Sequence, residues 1–185
     1  MKNIFSFLFL ILVLTSCHST KESTAKSGKN INQIIHRGDD VLLLGEINRS
    51  GLKSENFDWF PSGYSSYNPK PEVIKELKPL MKDIKIVAFM GTWCEDSHRD
   101  VPDFYKVLDA VDFDEKNLTI YAVDENKVTP QNFEEGKDLM QVPTFIFYKA
   151  GKEVGRIVEY SLRTIEEDML DILSGKDYKH PYSDF

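Results

Sequence analysis

The chain has 185 residues, of which 41% are hydrophobic and 12% aromatic, enough apolar surface for one well-packed domain. Its formal net charge of −7, from 30 acidic and 23 basic side chains, argues against nucleic-acid binding, which needs a basic face. Two cysteines are present, Cys17 and Cys94, so the sequence holds no framework of structural disulfides.

In chain order, Lys2 supplies a short positive region and Ile4 to Leu14 an apolar run broken only by Ser6. That run is too short for a membrane-spanning helix, which needs roughly 20 residues. It suits the apolar region of a signal peptide, about 7–15 residues long. It ends in Leu14-Thr15-Ser16-Cys17, which resembles the bacterial lipobox. The resemblance implies cleavage after residue 16 and acylation of Cys17. The expected divisions are therefore a lipoprotein signal peptide over 1–16, a tether over 17–30 and a folded domain over 31–185. The tether is rich in Ser, Thr and Lys and has too little apolar surface to fold alone. Attachment would be by acyl chains at the extracytoplasmic side of a bacterial cell envelope.

Within the domain, Val41 to Leu44 reads as a short strand ahead of Gly45. Phe57, Phe60, Tyr64 and Tyr67 recur at helical spacing with Trp59 beside them, but Pro61 and Gly63 interrupt, so an irregular helix is expected. The stripe reads as packing surface; the functional alternative is an aromatic wall near Cys94. Pro71 to Met81 has helical periodicity with proline at its start, where a missing N–H is harmless, and Pro79 is expected to kink or shorten its end. Ile84 to Met90 is a buried strand, Glu95 to Val111 an amphipathic helix, and Leu118 to Val123 a further strand. Asp124 and Glu125 read as turn residues. Thr144–Tyr148 and Val154–Val158 form a hairpin around 149–152, and Thr164–Leu173 a last helix with Thr164 as N-cap. Strands alternating with helices indicate an α/β fold.

The chemistry-bearing segment is Thr92-Trp93-Cys94-Glu95-Asp96-Ser97, at a strand-to-helix junction. A cysteine there meets unpaired N–H groups and the positive end of the helix dipole, which stabilise the nucleophilic thiolate. Glu95 and Asp96 oppose that effect, while His98 and Arg99 support it; the latter two are also expected as solvated surface. The segment resembles the Trp-Cys-x-x-Cys motif of thioredoxins, with Ser97 in place of the second cysteine. Val142-Pro143-Thr144 resembles the cis-proline loop of that family, and Pro102 resembles its mid-helix proline, five residues past Ser97. The resemblance covers about residues 41–175 and implies a thioredoxin-like fold, a central mixed sheet flanked by helices with an N-terminal extension. It is nearest to thioredoxin-like lipoproteins of Bacteroidetes-type bacteria, which carry a similar Trp-Cys-x-Asp-Ser segment.

By that resemblance the site comprises Cys94 as nucleophile with Pro143 opposite; Ser97 reads either as a hydrogen-bond donor to the Cys94 thiolate or as a plain N-terminal helix residue, and Trp93 either as packed beside the thiol or as plain core. In thioredoxins a buried aspartate helps deprotonate the second cysteine; here Ala88 takes its place. Resolving thiol and assisting base are thus both absent, as in a one-thiol design. The expected activity is thiol–disulfide exchange, of monothiol or isomerase type, with client protein thiols or disulfides, or a small-molecule thiol, as partner. The alternative is a non-catalytic module that binds polypeptide in the cis-proline groove. No metal or cofactor is expected: His18, His36, His98 and His180 are scattered and no phosphate-binding loop occurs. A one-cysteine peroxidase is disfavoured, since Thr92 lies two residues before Cys94, where that framing needs three.

Overall fold

A computed structural model describes residues 31–184. The expected signal peptide, tether and acylated Cys17 lie outside the described residues.

The chain enters as a hairpin of β1 (Gln33–Arg37) and β2 (Asp40–Ile47). A single helical turn, α1 (Arg49–Leu52), follows, then α2 (Trp59–Ser66) and α3 (Pro71–Leu80). Next come β3 (Ile84–Met90), α4 (Glu95–Ala110), a 3-10 turn at Glu115–Asn117 and β4 (Leu118–Ala122). An irregular stretch over 123–143 leads to β5 (Thr144–Lys149) and β6 (Lys152–Val158), and the last helix is α5 (Ile165–Leu173). The strands form one sheet in the order β1-β2-β4-β3-β5-β6. Only β3 and β4, joined through α4, run parallel; the other neighbours are antiparallel. This is the mixed sheet flanked by helices that the resemblance implies. Among the described residues no helix is long and apolar enough to cross a membrane.

The alternation of β3 divides the interior. Ile84, Ile86, Ala88 and Met90 point into the main core, with Leu77 of α3, Phe104 and Leu108 of α4 and Met169 of α5. Phe89 and Val87 point the other way, into a smaller cluster with Val123, Val142 and Ile146. All four longer helices contribute to the main core, whereas Phe133 and Leu139 of the irregular stretch cover the smaller cluster. The period-2 geometry of a strand makes this division automatic.

The first strand was not expected, and β2 is longer than its apolar run, continuing through Gly45 to Ile47. The irregular helix expected over 57–67 is instead a continuous one, α2. Pro61 falls in its first turn, where the N–H has no intrahelical partner to lose. Gly63 allows close contact with α4: an added Cβ would lie 3.0 Å from Pro102 Cβ and Cγ and 3.8 Å from the His98 carbonyl oxygen. Pro102 has no N–H to give that carbonyl, a mid-helix defect of about 3 kcal/mol. Burial of Val101, Phe104, Val107 and Leu108, all fully covered, offsets it at roughly 1.5–3 kcal/mol each. Pro79 lies inside α3, which ends at the following residue.

The candidate active site

The motif occupies the turn between β3 and α4, held from four sides. Cys94 N–H donates to Gly91 O at 3.1 Å, closing the turn. The buried Thr92 hydroxyl accepts from Leu43 N–H at 3.1 Å, tying the turn to β2. Trp93 Nε1–H donates to Val123 O at 2.9 Å beyond the end of β4. His98 Nε2 lies 2.7 Å from Thr92 O; a carbonyl can only accept, so this nitrogen carries the proton.

Cys94 is the N-cap residue of α4, with extended backbone and a half-buried side chain. Its Sγ donates to Val142 O at 3.3 Å. The Val142–Pro143 peptide is cis. Pro143 O accepts from Glu159 N–H at 2.7 Å, and Thr144 Oγ1 donates to Gln141 O at 2.6 Å, so both ends of this loop are anchored. Cys94, Trp93 and the Val142–Pro143 loop therefore do come together.

Ser97 has a different partner from the one expected. It is fully buried, and its Oγ accepts from Gly91 N–H at 3.2 Å, which makes it a brace for the turn. The expectation of solvated surface fails for His98: its ring is half-buried and stacks on Trp59 with centroids 4.4 Å apart and planes 17° from parallel. It holds for Arg99, which is exposed and pairs with Asp96 at 2.7 Å and Asp100 at 2.5 Å. Asp100 itself is buried, which raises its carboxyl above the usual range despite Arg99. Ala88 is fully buried between Ile120 and Phe145 on its neighbouring strands. Asp124 is the turn residue expected, its Oδ1 accepting from Asn126 and Val128 N–H at 2.9 and 3.1 Å.

The aromatic segment divides by role. Phe57 and Phe60 are core residues, and Tyr64 donates to Asp109 at 2.5 Å and Tyr67 to Glu166 at 2.5 Å. Trp59 alone reaches the motif, through His98. The part of the site not foreseen is a cleft of about 530 Å³ between the β1–β2 turn, Trp59 and the motif, lined by Asp39, Asp40, Val41, Trp93 and His98 among others. Gly38-Asp39 between two apolar runs was its available signal, since such a pair marks a hairpin. Among the described residues, no three His, Cys, Asp or Glu side chains converge as a metal set.

A strand–helix–strand unit with a cysteine at the helix N-cap, facing a cis-proline loop, defines a thioredoxin-fold protein. A family model described as Thioredoxin matches residues 53–171, and the chain belongs to the thioredoxin family. It is 30% identical to a thioredoxin of Staphylococcus haemolyticus over 93 residues, 50% of this chain and 84% of that protein. It is 26% identical to a thioredoxin-like protein of Acanthamoeba polyphaga mimivirus over 90 residues, 49% of this chain; the match spans 63% of that relative, under two thirds of its length. A crystal structure of a Pseudomonas aeruginosa protein of unknown function shares the fold, with TM-score 0.52 and 11% identity over 71% of this chain and 93% of that one.

Proposed function

We propose that this chain is a lipid-anchored protein of the bacterial cell envelope that exchanges disulfides through Cys94 alone. The observation that carries the reading is the placement of Cys94 Sγ: half-buried, at the N-cap of α4, and 3.3 Å from the carbonyl next to the cis-proline. The thiolate of Cys94 attacks one sulfur of a client disulfide. The client S–S bond breaks as the Cys94–client S–S bond forms, and the displaced client sulfur leaves as a thiolate that takes a proton from water. Cys94 is oxidised to the mixed-disulfide level and the departing sulfur is reduced. Since Ser97 is no thiol, a second client cysteine or an external thiol must attack the mixed disulfide to release the product. Family membership supports thiol–disulfide chemistry in general; the single-thiol course and the compartment rest on Ser97 and on the Leu14 to Cys17 segment.

Growth of cells carrying the tagged protein, acid quenching and non-reducing electrophoresis test this. Wild type should carry client adducts that reductant dissolves, and Cys94→Ala should carry none. An adduct pattern unchanged in Cys94→Ala, or a Cys94 inert to a thiol probe, leaves a binding module instead. Cys17→Ser should move the protein from the membrane fraction to the soluble one; continued membrane association refutes the lipid anchor.

A further inference from the structure

The cleft beside the motif has a lining that selects an occupant. Its lining mixes apolar and aromatic surface from Val41, Trp59 and Trp93 with polar groups, among them the exposed carboxylates of Asp39 and Asp40. Neither carboxylate has an ion-pair partner among the described residues. Arg37, on the same hairpin, is engaged by Glu125. The cleft therefore offers apolar and aromatic surface beside two carboxylates that no cation among the described residues pairs with. A side chain with an aliphatic stem and a cationic tip satisfies both requirements, and an indole face adds attraction for the cation. The position is informative as well. Trp93 precedes Cys94, and His98 lies one helical turn after it. The β1–β2 hairpin that supplies the carboxylates lies before residue 53, outside the stretch that matches the family model.

We propose that this cleft is a specificity subsite for a lysine or arginine side chain close to the reacting cysteine of a client polypeptide. The inference rests on the exchange reading above for its purpose, and on the cleft for its chemistry. The hairpin turn thus selects basic clients, and Trp59, braced by its stack on His98, forms the wall against which the stem lies.

The test uses the full chain and short synthetic peptides. Each carries one cysteine as its mixed disulfide with thionitrobenzoate, and arginine, glutamine or glutamate two residues earlier. Cys94 attacks the peptide sulfur, the Cys94–peptide bond replaces the peptide–thionitrobenzoate bond, and coloured thionitrobenzoate leaves. The arginine peptide should react about fivefold faster than the glutamine peptide at low ionic strength, with the ratio shrinking as salt is added. In Asp39→Asn/Asp40→Asn the three rates should converge to within about twofold. Glu72→Gln/Glu76→Gln, an equal change of charge on the exposed face of α3, should keep the preference. Equal rates in wild type, a preference retained by the hairpin variant, or one lost in the α3 variant overturns the subsite. If no peptide reacts at Cys94, the exchange reading fails separately. The subsite is then read in Cys94→Ala from the Trp59 indole N–H resonance on titration with a serine-for-cysteine arginine peptide. That signal should shift in Cys94→Ala and stay unmoved when the Asp39 and Asp40 substitutions are added; no shift at all overturns the proposal.

Discussion

Replacing Gly91 with alanine probes how tightly Trp93 is held. A Cβ on Gly91 falls 2.6 Å from Trp93 Cε2 and Nε1 and 3.0 Å from Cζ2, where comfortable carbon contacts need about 3.5–4.0 Å. The indole must retreat by about 1 Å, which stretches its 2.9 Å bond to Val123 O past the hydrogen-bonding limit. Crowding of this kind costs about 1–3 kcal/mol, and the lost bond about 1 kcal/mol more. Gly91 is not at positive φ, so alanine also restricts the unfolded chain, a gain of about 0.4–1 kcal/mol. The expected net loss is therefore about 1.5–3 kcal/mol. Urea unfolding should show the midpoint moving down at unchanged slope. The decisive measurement is the same substitution in a Trp93→Ala background. There the clash is gone and Gly91→Ala should be neutral or slightly stabilising. An equal loss in both backgrounds refutes the assignment of the strain to the indole.

Three further outcomes follow from the buried polar groups and the helix start. Ser97→Cys should bridge to Cys94 under mild oxidation, as mass spectrometry would show, and gain part of a dithiol reductase activity that Ala88→Asp raises further; a folded variant without the bridge refutes the helix placement. Burial, with Asp100 and Glu166 adding and Arg99 opposing, pushes the Asp103 carboxyl up to about 7. The folded state then binds more protons than the unfolded one between about pH 4 and 7, so this group's contribution falls as pH rises through that window. Asp103→Asn should accordingly stabilise at pH 8 by about 1–2 kcal/mol, after allowing for solvent screening, and leave stability at pH 3.5 nearly unchanged; equal effects at both pH values refute it. Tyr67→Phe removes a 2.5 Å hydrogen bond to the buried Glu166, which among the described residues keeps the Lys70 N–H at 3.0 Å. Unfolding in urea should show a loss of about 1.5–3 kcal/mol, and a change below 0.5 kcal/mol would refute this account.

The parts of the fold read correctly were those whose pattern reflects burial directly. Residues 84–90 are apolar apart from the exposed Lys85 because β3 lies between β4 and β5 and is covered on both faces over most of its length. The stripe Val101, Phe104, Val107, Leu108 marks the face of α4 that packs on the sheet. The segments that escaped notice are governed by neighbours. Gly45 looks like a strand end, yet β2 continues because β4 pairs with it up to Ile47. Pro61 looks like a helix breaker, yet a first turn tolerates it. His98 looks like surface in a charged stretch, yet the indole of Trp59, 39 positions earlier, lies flat on it. The position of Cys94 was legible because a strand end followed by a helix start brings a cysteine and free N–H groups together through local sequence alone. The cleft was not, since three separated segments build it.

The unequal cover of the sheet has a consequence for time-dependent behaviour. Cys94 and Trp93 pack with the smaller cluster, whose outer cover is the irregular stretch over 123–143 and not a helix. Most hydrogen bonds of that stretch are short-range, such as Thr129 Oγ1 to Glu134 at 2.7 Å and Asp124 to its own turn, and its ties to the sheet include a few side-chain contacts: Arg156 Nη1 to Lys137 O at 2.7 Å, the Arg37–Glu125 pair and the Tyr121–Phe133 stack at 4.4 Å. Local opening there requires breaking few long-range contacts and leaves the helix-covered core intact. Backbone amides of 124–141 should therefore exchange with deuterium well before those of β3. The sheet-side flank of the thiol would then open and close as a unit of its own, at a rate set by that stretch and not by the unfolding of the domain.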